Sequence, residues 1–460
     1  MDTGEAHRSW LDRLLGVAAD VHAGEAGSAL LLALNGFLIL AAYYVIRPMR
    51  TALLNPVRIA LPGGGVITGP EITSYTGAIL AALFLVIVPL YGAFASRVNR
   101  IRLINAVTLF FVSNLIVFFL LGRAGVRAAT LGVPFFLWIG IFNLMVVAQF
   151  WSFATDIYTP AQGKRLFAII GFGASMGAIA GSLITSLLIR LRLGEFDTML
   201  VSAGILIVCL ALTNIVHLRE GGRARARDTR QREADEPLKA EGGFQLVLGQ
   251  RYLLLIGLLT LTAQFVNTNG NYIFNETLGT MARTAVASGT SGGLSERQLT
   301  ASFMAGTDFW QNVLVVAIQL LLVSRIFAWL GIGGALFILP AISLMSYSLF
   351  AAAPVLALIR VAKITENATD YSLQNTVRRA LFLPTSREAK YKALQAVETF
   401  FWRSGDMLSA LTTFALVEVL SFGVRGYAAV NICVVAAWIA LAVSLSRENR
   451  KLTERSQEAA

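Results

Sequence analysis

Arg47 and Arg50 end the first long apolar run of this 460-residue sequence, three positions apart. On a helix that continues past them, both point to the same side. A later run carries Arg360, Lys363, Glu366 and Asp370, and the next carries Glu398, Arg403 and Asp406. Steps of three, three and four place the first set on one helical face, and in the second Arg403 and Asp406 are one turn apart. Asp156 ends the fourth run, just before Lys164 and Arg165. An ionisable group inside a membrane span costs about 2.5–3.5 kcal/mol on insertion scales, so each needs an opposite charge or a water-filled cavity. Glu366, Asp370, Glu398 and Asp406 have cations one turn away or nearby, and read as internal ion pairs or as coupling groups. The first run has no acid of its own. Guanidinium forks suit phosphates or carboxylates, whereas a neutral sugar needs none. Arg47, Arg50 and Arg403, with Lys363, are therefore candidate contacts to an anionic small molecule.

These residues lie in a chain that is 56% hydrophobic and 14% charged, against roughly 25% charged for a soluble protein. The composition excludes a soluble enzyme and a disordered chain. A formal charge of +11 would suggest nucleic acid in a soluble protein. Here the cations lie between apolar runs, so no nucleic-acid partner is expected. Cys209 and Cys433 both sit in apolar runs, and His7, His22 and His217 are scattered. No disulfide framework, metal site or cofactor is expected. With no nucleophile–base pair either, an intramembrane enzyme is not expected. The first residues lack the short apolar region and cleavage site of a signal peptide.

A spanning helix needs about 20 apolar residues. About twelve such runs occur: 28–46, 73–95, 102–121, 131–153, 166–189 and 198–217, then 252–274, 301–323, 333–351, 354–376, 394–420 and 426–446. The fold class is thus an all-α polytopic membrane protein, with two six-helix bundles in a major-facilitator-like arrangement. Residues 1–27 form a tail, 28–217 the N-terminal bundle, 218–250 a charged linker, 251–446 the C-terminal bundle and 447–460 a second tail. With both ends inside, cytoplasmic segments collect about 25 of the Lys and Arg residues and the opposite loops about 10, which fits the positive-inside rule. Two basic turns, one around Arg97 and Arg100 and one around Arg325, occupy matching places in the halves. Gly173, Gly177 and Gly181 make a stripe suited to close helix packing. Pro48 lacks a backbone donor and marks a place where the first helix can break.

Taken together, these segments resemble the ATP/ADP translocase (nucleotide transporter) family of plastids and intracellular bacteria, and its free-living bacterial relatives. The likeness lies in Tyr44, Arg47 and Arg50; in Phe150, Trp151 and Asp156 followed by Lys164, Arg165 and the glycine stripe; in Tyr371, Ser372 and Leu373 leading to Lys390, Tyr391 and Lys392; and in Arg403, Ser404, Gly405 and Asp406. By this resemblance Arg50 occupies one intramembrane Lys position of the family, Asp156 one Glu position and Arg403 the second Lys position. The second Glu position falls on Asn271, where the charge is lost. Asp406 departs from the family's paired glycines.

The resemblance implies a secondary transporter working by alternating access, exchanging nucleotides of ATP/ADP type across a bacterial inner membrane. Arg47, Arg50, Lys363 and Arg403 would hold phosphates, and Asp156 and Asn271 would tune coupling or touch the rest of the substrate. A carrier for another organic anion, proton-coupled through Glu366 or Glu398, is the alternative within this class. A non-transporting scaffold or sensor is the alternative outside it.

Overall fold

The computed structural model describes residues 25–60, 65–95, 100–157, 160–191, 193–194, 196–225, 243–382, 384–385 and 393–458. Most of the N-terminal tail, part of the first basic turn (96–99), the middle of the linker (226–242) and Lys390, Tyr391 and Lys392 lie outside the described residues.

Nearly all of the rest is helix. In chain order come α1 (Ala26–Leu54), a hairpin of β1 (Arg58–Ala60) and β2 (Val66–Thr68), then α2 (Gly69–Ala95), α3 (Arg100–Arg123), α4 (Ala128–Ile157), α5 (Pro160–Arg190) and α6 (Asp197–Arg225). The second half holds α7 (Gly243–Gly249), α8 (Arg251–Ala287), α9 (Glu296–Ala317), α10 (Val323–Ala335), α11 (Ile338–Ala352), α12 (Leu356–Thr369), α13 (Asn375–Ala380), α14 (Leu394–Ala396), α15 (Trp402–Thr413) and α16 (Val424–Glu458). Wider π-helical turns join α9 to α10 (Ile318–Leu322), α12 to α13 (Asp370–Gln374) and α14 to α15 (Val397–Phe401), and a fourth follows α15 (Phe414–Val419). Among the described residues, nine helices are long and apolar enough to cross a membrane. Three further rods, 338–352, 356–380 and 394–419, complete the series. The protein is an all-α polytopic membrane protein, to which the hairpin, pairing Arg58 with Thr68, adds two short antiparallel strands.

The chain divides into two compact units. The first gathers 1–50, 90–236 and 304–309; the second gathers 51–89, 237–303 and 310–460. In the first unit α1 and α5 approach to backbone contact. A side-chain carbon added at Gly173, Gly177 or Gly181 would run into the backbone at Ala33, Phe37 or Ala41 respectively. Both sets of positions step by four, so the stripe is the seam of a helix pair.

That seam also mends α1. Pro48 does not break the helix, which runs on to Leu54. Proline removes the N–H that would reach the carbonyl four residues earlier, here Tyr44. The Thr185 hydroxyl of α5 lies 3.4 Å from the Tyr44 carbonyl and 2.8 Å from that of Val45. A neighbouring hydroxyl thus takes over where the backbone donor is missing, as proline within a membrane helix requires.

In the second unit α8 is the central rod. It packs against α12, α15 and α16, and Asn269 on it is fully buried, donating to Asn431 at 3.0 Å and accepting from Ser409 at 2.6 Å. At 37 residues, α8 overruns the 252–274 expected for it. The overrun is not apolar: Glu276 and Arg283 stand in it.

Candidate functional site

In the first unit, α1 carries Arg47 and Arg50 on a segment fixed by the glycine seam and by Thr185. The Arg47 Nη1 lies 3.2 Å from Oδ1 of Asp308, with the side chains 17% and 3% exposed. Asp308 belongs to the short stretch of α9 that packs with this unit. Its second oxygen, Oδ2, is buried without a hydrogen-bond partner. The Arg47 guanidinium also lies 5.0 Å from the Tyr44 ring centre, and that of Arg50 lies 4.5 Å from Phe136. Tyr43 stacks on Phe142 at 6.3 Å, backing α1 with an aromatic wall from α4. Asp156 is in the last turn of α4; its side chain lies outside the described residues, as do those of Lys164 and Arg165.

In the second unit the charges of α12 close on themselves. Lys363 Nζ lies 3.0 Å from Glu366 Oε2, the side chains being 1% and 5% exposed. Lys363 also donates to the Asn267 side-chain oxygen at 2.9 Å and lies 3.4 Å from its carbonyl. Tyr347 donates to the Val266 carbonyl at 2.9 Å. Gly270 makes room for this cluster, since a side-chain carbon there would meet the Tyr347 hydroxyl and the Lys363 ammonium. Glu366 Oε1 is buried without a partner. Arg360 turns instead to Phe303, 4.4 Å from its ring centre, and Asp370 is buried at the start of the π turn. Glu398 lies 4.0 Å from the exposed Arg379.

Arg403 and Asp406 on α15 differ from this. Arg403 Nη1 lies 3.3 Å from Asp406 Oδ2, with the side chains 27% and 13% exposed. The guanidinium covers the Phe84 ring at 4.4 Å. Asp406 Oδ1 accepts from Gln264 and Thr268 of α8, each at 2.7 Å. Asn271 lies three residues further along α8, partly exposed, beside Tyr272, whose ring stacks on Tyr427 at 4.7 Å.

No protein-family model matches the chain. It is 21% identical over 345 residues to ADP,ATP carrier protein 1 of Chlamydia muridarum (strain MoPn / Nigg), covering 66% of this chain and 62% of that protein. It is 22% identical over 306 residues to ADP,ATP carrier protein 1 of Chlamydia trachomatis serovar D, covering 58% and 55%. The chain therefore spans under two thirds of the length of the curated relatives it matches. Among solved structures, the nucleoside transporter NupG aligns with a TM-score of 0.58 at 13% identity, over 91% of this chain and 98% of that one. A bacterial homolog to the human lysosomal transporter Spinster, inward-facing and unoccupied, aligns with a TM-score of 0.57 at 14% identity, over 92% and 98%. The peptide transporter POT in complex with sulfate aligns with 0.58 at 12%, over 93% and 94%.

The chain shares its fold with these solved transporters. In sequence the chain resembles the ADP,ATP carriers, as its motifs imply.

Set against that resemblance, Arg47 and Arg50 fall together in one unit, and Lys363, Arg403, Asp406 and Asn271 in the other. Lys363 directs its ammonium at oxygens of Glu366 and Asn267. Four residues of this geometry were missed in the sequence. Asp308 is a lone acid in an apolar run, which is itself the signal. Gln264, Thr268 and Phe84 carry none, because neutral polar and aromatic side chains are ordinary in spanning helices.

Proposed function

We propose that the chain is a secondary transporter that works by alternating access and exchanges nucleotides of ATP/ADP type across a bacterial inner membrane, with both termini cytoplasmic. Segments 28–217 and 251–446 serve as the two bundles and 218–250 as a cytoplasmic linker. One observation carries the reading: Arg47, Arg50 and Arg403, inside membrane-length rods, each lie against an aromatic ring, Tyr44, Phe136 and Phe84. A guanidinium lying over a ring is attracted to it, and its planar fork of donors matches two oxygens of a phosphate. An entering phosphate competes with Asp308 for Arg47. Asp156 and Asn271 contact the remainder of the substrate or set the coupling.

Counterflow of labelled ADP or ATP in proteoliposomes tests this. Uptake against an unlabelled internal pool is expected, and replacing Arg50 or Arg403 by Ala weakens it. Absence of saturable uptake across a nucleotide panel would reject the nucleotide assignment. A second reading, a proton-coupled carrier for another organic anion, is favoured by the buried Glu366 oxygen that has no partner. Dependence of uptake on a pH gradient, abolished in Glu366→Gln, would select it.

A further inference from the structure

Arg403 is held at two points, and the acid at one of them is itself held. Its face lies on Phe84, one Nη1 donor is directed at Asp406 Oδ2, and Asp406 is fixed through Oδ1 by two short hydrogen bonds from α8. At 3.3 Å the contact is longer than a short charge-assisted hydrogen bond. Its value is directional, because the acid is anchored independently of the arginine. With Nη1 directed at Asp406, the Nε–Nη2 edge is the one left to meet an oxyanion side-on, and the arginine retains 27% exposure. An arginine on a flexible stem loses rotamer freedom when it binds; one already fixed does not.

We propose that Asp406, seated by Gln264 and Thr268, is a positioning residue that orients Arg403 on Phe84 for two-point capture of a phosphate group. The proposal deepens the transporter reading and rests on it. Asp406 does not touch the substrate. It lowers the local positive charge and so weakens raw attraction, while sharpening geometry. The receptor therefore favours oxyanions with two adjacent oxygens, as in a terminal phosphate, over single-point anions such as chloride.

The test is a double-mutant cycle on the full chain in proteoliposomes, with labelled ADP. Asp406→Ala should raise KM about tenfold and change kcat less than about twofold, since prepaid orientation acts mainly on binding. Added to Arg403→Ala, it should change nothing further. Asp406→Asn, whose single oxygen can accept from Gln264 and Thr268 only by turning an N–H donor on Arg403, should recover little of the loss. An equal penalty from Asp406→Ala with and without Arg403, or an unchanged KM, would overturn the proposal. If Asp406→Ala does not fold, Thr268→Val serves in the same cycle, with a smaller rise of about threefold that must vanish without Arg403.

Thermal stabilisation of the purified protein by inorganic pyrophosphate separates this proposal from the nucleotide reading. A shift that requires Arg403 and shrinks in Asp406→Ala, in a protein showing no nucleotide counterflow, keeps the receptor and rejects the nucleotide. No shift and no counterflow reject both.

Discussion

Two ion pairs in the second unit share a spacing and differ in everything else. Lys363–Glu366 and Arg403–Asp406 are each a cation followed three residues later by an acid. The first is closed: the ammonium meets Glu366, Asn267 and nothing outside, and Gly270 admits Tyr347 against it. The second is open, since its acid is tied to α8 while its arginine lies on a ring with an edge to spare. Helical spacing makes the pair in both cases. What the neighbouring helix offers decides whether the pair is enclosed, as Lys363–Glu366 is, or left partly exposed, as Arg403–Asp406 is. Asn267 and Gly270 draw the lysine into protein, and Gln264 and Thr268 draw the acid away from its arginine.

The largest effect expected from this contrast is on the closed pair. Glu366→Ala leaves a buried ammonium without its counter-charge and should lower stability by about 3–5 kcal/mol, read as loss of folded protein in detergent melts. Next is Arg403→Ala, which should stay folded and lose roughly a hundredfold in nucleotide kcat/KM, on the order of 2.7 kcal/mol. If the melt falls and the residual folded protein transports normally, the two pairs have exchanged roles and the comparison fails. Thr185→Val removes the hydroxyl beside Pro48 and should cost about 1 kcal/mol of stability, measured by the same melts. The smallest effect belongs to Lys363→Met combined with Glu366→Leu. Replacing a buried pair by apolar groups of similar volume is often near neutral, so melts and counterflow should change little. A selective collapse of transport in that double variant would make the closed pair part of the transport cycle.

The rods themselves were legible, because twenty apolar residues have few fates: nine of the twelve expected runs lie within a helical rod, 333–351 straddles the break between α10 and α11, and 354–376 and 394–420 overrun their rods by one or two residues. Ends were less legible. The overrun of α8 carries Glu276 and Arg283, and hydropathy stops where charge begins even when the helix does not. Pro48 looked like a break because the sequence does not show Thr185 across the seam, although the glycine stripe that brings it there could be read directly. The π turns have no local signature: Asp370–Gln374 and Val397–Phe401 are sequences that also suit an α-helix. The same holds for the candidate site. Arg47, Arg50 and Arg403 stand out as charges in apolar runs, whereas the acid facing Arg47 comes from α9, distant in sequence. Asp406 was visible as the neighbour of Arg403, but its seat on Gln264 and Thr268 exists only once α8 and α15 pack.

The brace at Pro48 bears on how the chain is made. Tyr44 and Thr185 are 141 residues apart, which at a synthesis rate of about 5–20 residues per second is an interval on the order of ten seconds. Throughout it, the nascent first helix sits in the insertion machinery with a carbonyl that its own backbone cannot serve. The hydroxyl and the glycines of α5 then arrive together, so one helix both closes the seam and serves the turn at Pro48. Arg47 waits longer still, because its partner Asp308 comes only with α9.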